Sequence, residues 1–169
     1  VTGWVALLRA VNVGGTGKII MAELKALGEE LGFTQVQTYI ASGNLIFSSP
    51  LDEAQLRVAI ESALERRYGK PIGVLLRSAA DLAGVVARNP WPDRPSNRVL
   101  ALFTDVPPSL DGVRHQNGER LALGLREIFV DYGEGMASSK LVVPASKTGT
   151  GRNMNTVAKL VAMANLAKK

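Results

Sequence analysis

The 169-residue chain is 46% hydrophobic and 21% charged, the balance of a soluble protein large enough to bury a core without staples. It has no Cys and one His, His115, which excludes disulfides, thiolate zinc sites, a Cys nucleophile and any multi-His metal site within one chain. Its net charge of +5 is placed unevenly: seven cations face seven acids from Val1 to Leu76, seven again face seven from Arg77 to Gly133, and six face Glu134 alone after that.

In chain order, Trp4–Arg9 reads as a short apolar strand, followed by a loop from Ala10 to Lys18 with three glycines. Leu24, Leu27 and Leu31 recur at helical spacing, and Gly32 supplies the left-handed stop for that helix. Gln35–Ile40 and Asn44–Ser48 read as a hairpin around Ala41-Ser-Gly-Asn44. Ser49-Pro-Leu-Asp52 reads as a capping box with Pro at the first helical position. The helix after it turns Leu56, Ile60, Ala63 and Leu64 inward and ends at Gly69. Ile72–Leu76 is the next strand. Strand-helix-strand-strand-helix-strand is the order of a ferredoxin-like unit.

Ser78-Ala-Ala-Asp81 reads as another capping box, opening a helix that stops at Asn89-Pro90. The Pro90–Ser96 stretch, with three prolines, is the best linker. Beyond it come a strand Arg98–Phe103, a short helix Pro107–Val113, a hairpin of Arg120–Leu123 and Glu127–Tyr132, and a helix near Gly135–Val142. A last helix begins near Asn153, with Val157, Leu160, Val161 and Ala164 as its apolar stripe. The expected architecture is α+β: two tandem ferredoxin-like (βαββαβ-type) halves, 1–88 and 97–169, in one compact unit with an extra C-terminal helix. The apolar run at Trp4–Leu8 is too short for a signal-peptide core or a membrane span, so a cytoplasmic protein with no membrane partner is expected.

Three segments invite an anion. Arg9-Ala-Val-Asn-Val-Gly-Gly-Thr-Gly-Lys18 has the glycines and the lysine of a phosphate loop, but Asn12 and Ile19 break the nucleotide pattern. Ser42-Gly43-Asn44 sits in a hairpin turn, where tolerance of positive φ accounts for Gly and Asn by itself. In Thr148-Gly-Thr-Gly-Arg-Asn-Met-Asn-Thr156, helical spacing places Arg152, Asn155, Thr156 and Lys159 on one face behind an Asn153 cap. An Arg at a helix start opposes the macrodipole, so either a bound anion or an internal carboxylate compensates it. Ser138-Ser139-Lys140 would be a nucleophile and base only with a desolvated lysine. His115 reads as a surface-loop residue, and Trp4, Phe47 and Phe129 as core.

Trp4-Val-Ala-Leu-Leu-Arg-Ala-Val-Asn-Val-Gly-Gly15, Thr38-Tyr-Ile-Ala-Ser-Gly-Asn44, Leu76-Arg-Ser78 and Gly151-Arg-Asn-Met-Asn-Thr156 together resemble the bacterial domain-of-unknown-function family 1697, from Trp4 to about Leu166. Ala10 and Met154 depart from its usual residues. The resemblance implies two ferredoxin-like halves and no particular activity. It implies that Arg9, Asn12, Gly14, Gly15, Lys18, Ser42, Gly43, Asn44, Arg77, Ser139, Lys140, Arg152, Asn153, Asn155 and Thr156 belong to the family's motif set.

The leading expectation is a site for a small phosphorylated or carboxylated ligand, built from the glycine loop and the start of the last helix. It would use Arg9, Asn12, Gly14, Gly15, Lys18, Ser42, Asn44, Arg77, Lys140, Arg152, Asn153, Asn155 and Thr156, with no metal and no cofactor. The alternatives are nucleic-acid binding through the basic C-terminal segment, an enzyme acting on a phosphorylated metabolite with Lys18 or Lys140 as base, and a structural role for the same polar residues.

Overall fold

The computed structural model describes residues 1–9, 19–40, 43–134 and 136–167. Two units divide the chain, Val1–Leu82 with Leu160–Lys169, and Ala83–Lys159. The architecture is α+β, with two four-stranded antiparallel sheets and four α-helices among the described residues.

The first sheet has the order β2-β3-β1-β4, from β1 (Thr2–Leu8), β2 (Thr34–Thr38), β3 (Asn44–Ser49) and β4 (Val74–Ser78). β1 is bonded on both edges, to β3 and β4. Every residue from Gly3 to Leu8 is buried, so the run needs no polar alternation. One face turns Trp4, Ala6, Leu8, Leu45, Phe47 and Leu76 toward helices α1 (Met21–Glu30) and α2 (Glu53–Tyr68), which return Leu24, Leu27, Leu56, Ile60 and Leu64. Phe33 stacks on Phe47 with centroids 4.2 Å apart. The opposite face is also buried at Val5, Leu7, Ile46, Leu75 and Arg77.

Gly32 and Gly69 take left-handed φ values of 88° and 75° after α1 and α2, as their positions predict. The capping box of α2 lies three residues beyond the expected one. Asp52 accepts from the Gln55 N–H at 2.8 Å and the Gln55 side chain accepts from the Asp52 N–H at 3.1 Å. Ser49 accepts the Leu51 N–H instead, so Pro50 precedes the helix. The box at Ser78 and Asp81 forms as expected at the head of α3 (Ala79–Arg88). β4 runs into α3 with no intervening residue.

The second sheet repeats the order as β6-β7-β5-β8, from β5 (Val99–Phe103), β6 (Arg120–Leu123), β7 (Glu127–Asp131) and β8 (Thr150–Asn153). Its connections differ. The expected helices at 107–113 and 135–142 are not formed by the described residues. Pro107-Pro108 removes two backbone donors, Gly112 takes φ 77°, and the Asp111 N–H turns back to the Ser109 hydroxyl. In the later segment the Leu141 N–H bonds the Ser139 hydroxyl, and Val142 joins Arg114 in a β-bridge. Leu110, Val113, Leu141 and Ala145 from these connections cover Leu102, Ile128 and Val130. A 3-10 turn at Pro144–Lys147 precedes β8.

β8 overturns the largest expectation. Arg152 is a strand residue paired with Ala101, so it does not share a helix face with Asn155, Thr156 and Lys159. The last helix, α4, spans Met154–Ala167, again with no residue after its strand, and buries Val157, Leu160 and Ala164. The glycines of the run are there for space. A Cβ on Gly149 would stand 2.3 Å from the Phe103 carbonyl oxygen, and one on Gly151 would stand 2.9 Å from the Leu100 side chain. Because the first obstacle is backbone, Gly149→Ala is expected to destabilise the protein by about 1–3 kcal/mol, read as a lower urea midpoint at unchanged m-value.

Candidate functional site

The end of β1 is held between two glycines. The Leu8 N–H donates to the Gly43 carbonyl and the Arg9 N–H to the Gly73 carbonyl, both at 2.9 Å. Arg9 is half-buried, and its side chain lies over Gly73, where a Cβ would approach Nη1 to 3.0 Å. Gly43 takes φ 88°. Next to it, fully buried Asn44 donates from Nδ2 to the Tyr39 carbonyl at 2.8 Å, and the Tyr39 N–H bonds the Asn44 carbonyl at 3.1 Å. Asn44 therefore closes the hairpin turn with its side chain and its backbone. Asn12, Gly14, Gly15, Lys18 and Ser42 lie outside the described residues.

Arg77 belongs to the same sheet but not to this strand end. It pairs with Val5, four residues along β4 from Gly73, or about 13 Å at ordinary strand rise. Only 2% exposed, it donates from Nη1 to the Leu76 carbonyl at 2.9 Å.

Arg152 occupies the matching place in the second sheet. It is buried and donates from Nη1 to the Gly151 carbonyl at 3.0 Å and to the Thr150 hydroxyl at 2.8 Å. Desolvation pushes its guanidinium down to about 10, still charged at neutral pH. Asn153 caps α4 by accepting the Thr156 N–H at 2.8 Å, and the Asn155 N–H donates to the Ser96 carbonyl at 3.2 Å. Two of the first-turn donors expected to receive an anion, the Asn155 and Thr156 N–H groups, thus donate within the protein.

Lys140 lies on a cavity of about 530 Å³ in the second unit that His115, Glu119, Tyr132 and Ser139 also line. Lys140 is exposed. The Ser139 hydroxyl donates to Glu119 Oε2, so its proton goes to a carboxylate and not to Lys140. Hydrogen bonds from Ser139 and from the Asn117 N–H hold Glu119 below the usual carboxylate range. His115 is exposed in left-handed backbone at φ 59°.

The strongest electrostatic cluster of the second unit escapes a sequence reading. Buried Asp131 accepts from Arg120 Nε at 3.1 Å and from the Gly133 N–H at 2.9 Å, with Arg94 Nε at 3.3 Å. Arg120 also lies over Trp91, 4.8 Å from the ring centroid. Arg88 is paired in the same way with buried Glu127 at 2.6 Å. The signal for both acids was the strand Glu127-Ile-Phe-Val-Asp131, whose ends are charged although all its residues are buried. In the first unit, a cleft of about 630 Å³ between α1 and α2 is crossed by Arg67–Glu23 at 3.1 Å. It holds none of the expected site residues.

These features define a mixed α+β protein whose two sheets share one strand order and one buried arginine position. A family described as a protein of unknown function, DUF1697, matches residues 1–129, and the chain belongs to that family. It is similar in structure to the conserved bacterial protein SP0830 from Streptococcus pneumoniae, with 29% identity and a TM-score of 0.80 over 96% of this chain and 98% of that one. No curated protein matches it. Among the described residues no helix is long and apolar enough to cross a membrane.

The Asp131 cluster carries a pH signature. Desolvation pushes its carboxyl up, but the Arg120 and Gly133 hydrogen bonds with the Arg94 and Arg120 charges outweigh it, so the net shift is downward. A depressed carboxylate stabilises the fold above its unfolded pKa, about 3.9, and that contribution is lost as pH falls through the lower folded value. Asp131→Asn should cost about 1–3 kcal/mol at pH 7 and show a flatter loss of stability between pH 5 and 2, measured by urea unfolding across that range.

Proposed function

We propose that the chain binds a small anionic ligand, phosphorylated or carboxylated, at the C-terminal end of β1. The observation that carries this reading is the pair of bonds from Leu8 to Gly43 and from Arg9 to Gly73. They set the backbone of the strand end between two glycine positions, where backbone can approach a ligand closely, and the Arg9 side chain lies over one of them, Gly73. The loop with Asn12, Gly14, Gly15 and Lys18 leaves from that point in the sequence, and Ser42 directly precedes Gly43. These residues complete the proposed site. We leave Arg77, Lys140 and the Arg152–Thr156 segment out of this reading; the described hydrogen bonds of Arg152, Asn153 and Thr156 serve β8 and α4. We read the two halves, 1–88 and 97–169, as ferredoxin-like. The strand order common to both sheets supports that reading.

A ligand at about a hundred times its Kd stabilises the folded state by about 2.7 kcal/mol. Phosphate, sulfate or a nucleotide is therefore expected to raise Tm by several degrees in a thermal-shift titration. Arg9→Ala and Lys18→Ala should each weaken the response at least tenfold while leaving the ligand-free Tm within a few degrees. If none of the three anion classes moves the wild-type Tm, the reading is wrong.

A further inference from the structure

We propose that the cavity of the second unit is a separate site, which binds a small molecule through a protonated primary amine with the Glu119 carboxylate as counter-ion. Three acids of this unit are buried, and two of them have an arginine: Glu127 has Arg88, and Asp131 has Arg120 and Arg94. Glu119 is the exception. It is 6% exposed, and its two oxygens accept from neutral donors, the Ser139 hydroxyl and the Asn117 N–H. Among the described residues it forms no ion pair.

Burying an ionised carboxylate without a counter-charge is costly, yet the two donors favour the ionised form. A carboxylate offers about four acceptor positions; the Glu119 backbone N–H interacts with it as well, so roughly one remains for a ligand. The charge also reaches beyond its own loop. The Tyr132 phenol is raised first by desolvation and then by Glu119, and Tyr132 lines the same cavity.

The site is pre-formed. Gln116 Nε2 donates to the Glu119 carbonyl at 2.6 Å, and the Leu141 N–H donates to Ser139 Oγ at 3.2 Å, so both walls are tied before anything binds. The volume of about 530 Å³ falls within the range of about 300–1,000 Å³ typical of small-molecule sites. Tyr132 adds an aromatic surface of the kind cations favour. Exposed Lys140, on the same lining, opposes a second ammonium and selects a ligand whose far end is neutral or anionic.

The test is an NMR titration of the full chain with 4-aminobutanoate and n-butylamine, and with butanoate and 1-butanol as partners lacking the amine. Both amines should shift the amide signals of His115–Glu119 and Tyr132, with 4-aminobutanoate the tighter. The amine-free pair should shift them at least tenfold more weakly. Glu119→Gln keeps the shape and removes the charge, and should weaken amine binding at least tenfold. Asp111→Asn removes a carboxylate of the same unit that does not line the cavity and should stay within threefold of wild type. If Glu119→Gln does not fold, the comparison of amine and amine-free probes on the wild type decides alone. Equal shifts from butanoate, undiminished amine binding by a folded Glu119→Gln, or no shift at these residues with either amine would overturn the proposal.

Discussion

Each sheet depends on one strand, β1 or β5, hydrogen-bonded along both edges and buried on both faces. A strand in that position cannot carry polar side chains along its length without stranding them away from water. Trp4–Leu8 and Val99–Phe103 are accordingly apolar almost throughout. Polar chemistry is displaced to the strand ends and to the neighbouring strands. Arg9 at the end of β1, Asn44 at the start of β3, and Arg77 and Arg152 near the ends of β4 and β8 all follow this rule.

The same constraint explains why a cation-rich, glycine-rich segment is no evidence of an open anion site. Gly149 is required by the nearness of a backbone carbonyl, and Gly151 by a leucine. Arg152 is drawn into the sheet at the level of Ala101. An arginine buried this way is held by carbonyl and hydroxyl acceptors of its own strand. Arg9 differs, since it sits where β1 ends and is only half-buried.

Much of the first unit was legible because its elements are marked by local chemistry: the leucines of α1, the stops at Gly32 and Gly69, and the Ser78/Asp81 box. At α2 the sequence offers two good caps, Ser49 and Asp52; Asp52 closes the box with Gln55, and Ser49 bonds the Leu51 N–H. The second unit was harder to read. Its connections hold apolar residues at spacings that imitate helices, but Pro107-Pro108 and the Ser139 hydroxyl divert the backbone into turns. β8 was hidden because glycine, threonine and arginine show no strand periodicity, and pairing with β5 supplies what propensity lacks. Of the candidate site, the bond from Leu8 to Gly43 brings the end of β1 to the Gly43–Asn44 turn, two segments that the sequence motifs name separately. Glu119 and Asp131 gave little warning, because burial of a carboxylate is a tertiary property.

Two strand-to-helix junctions, Ser78 to Ala79 and Asn153 to Met154, have no linker, and in each the residue before the helix both ends the strand and caps the helix. Strand register and helix rotation are therefore geared together. One residue inserted at either junction would turn the helix by about 100°, carrying the 157/160/164 stripe of α4 off its buried side. Length variation should be forbidden at these two points and concentrated in the connections between β5 and β6 and between β7 and β8. The chain can change the walls around Glu119 far more freely than the phase of the helices its sheets launch.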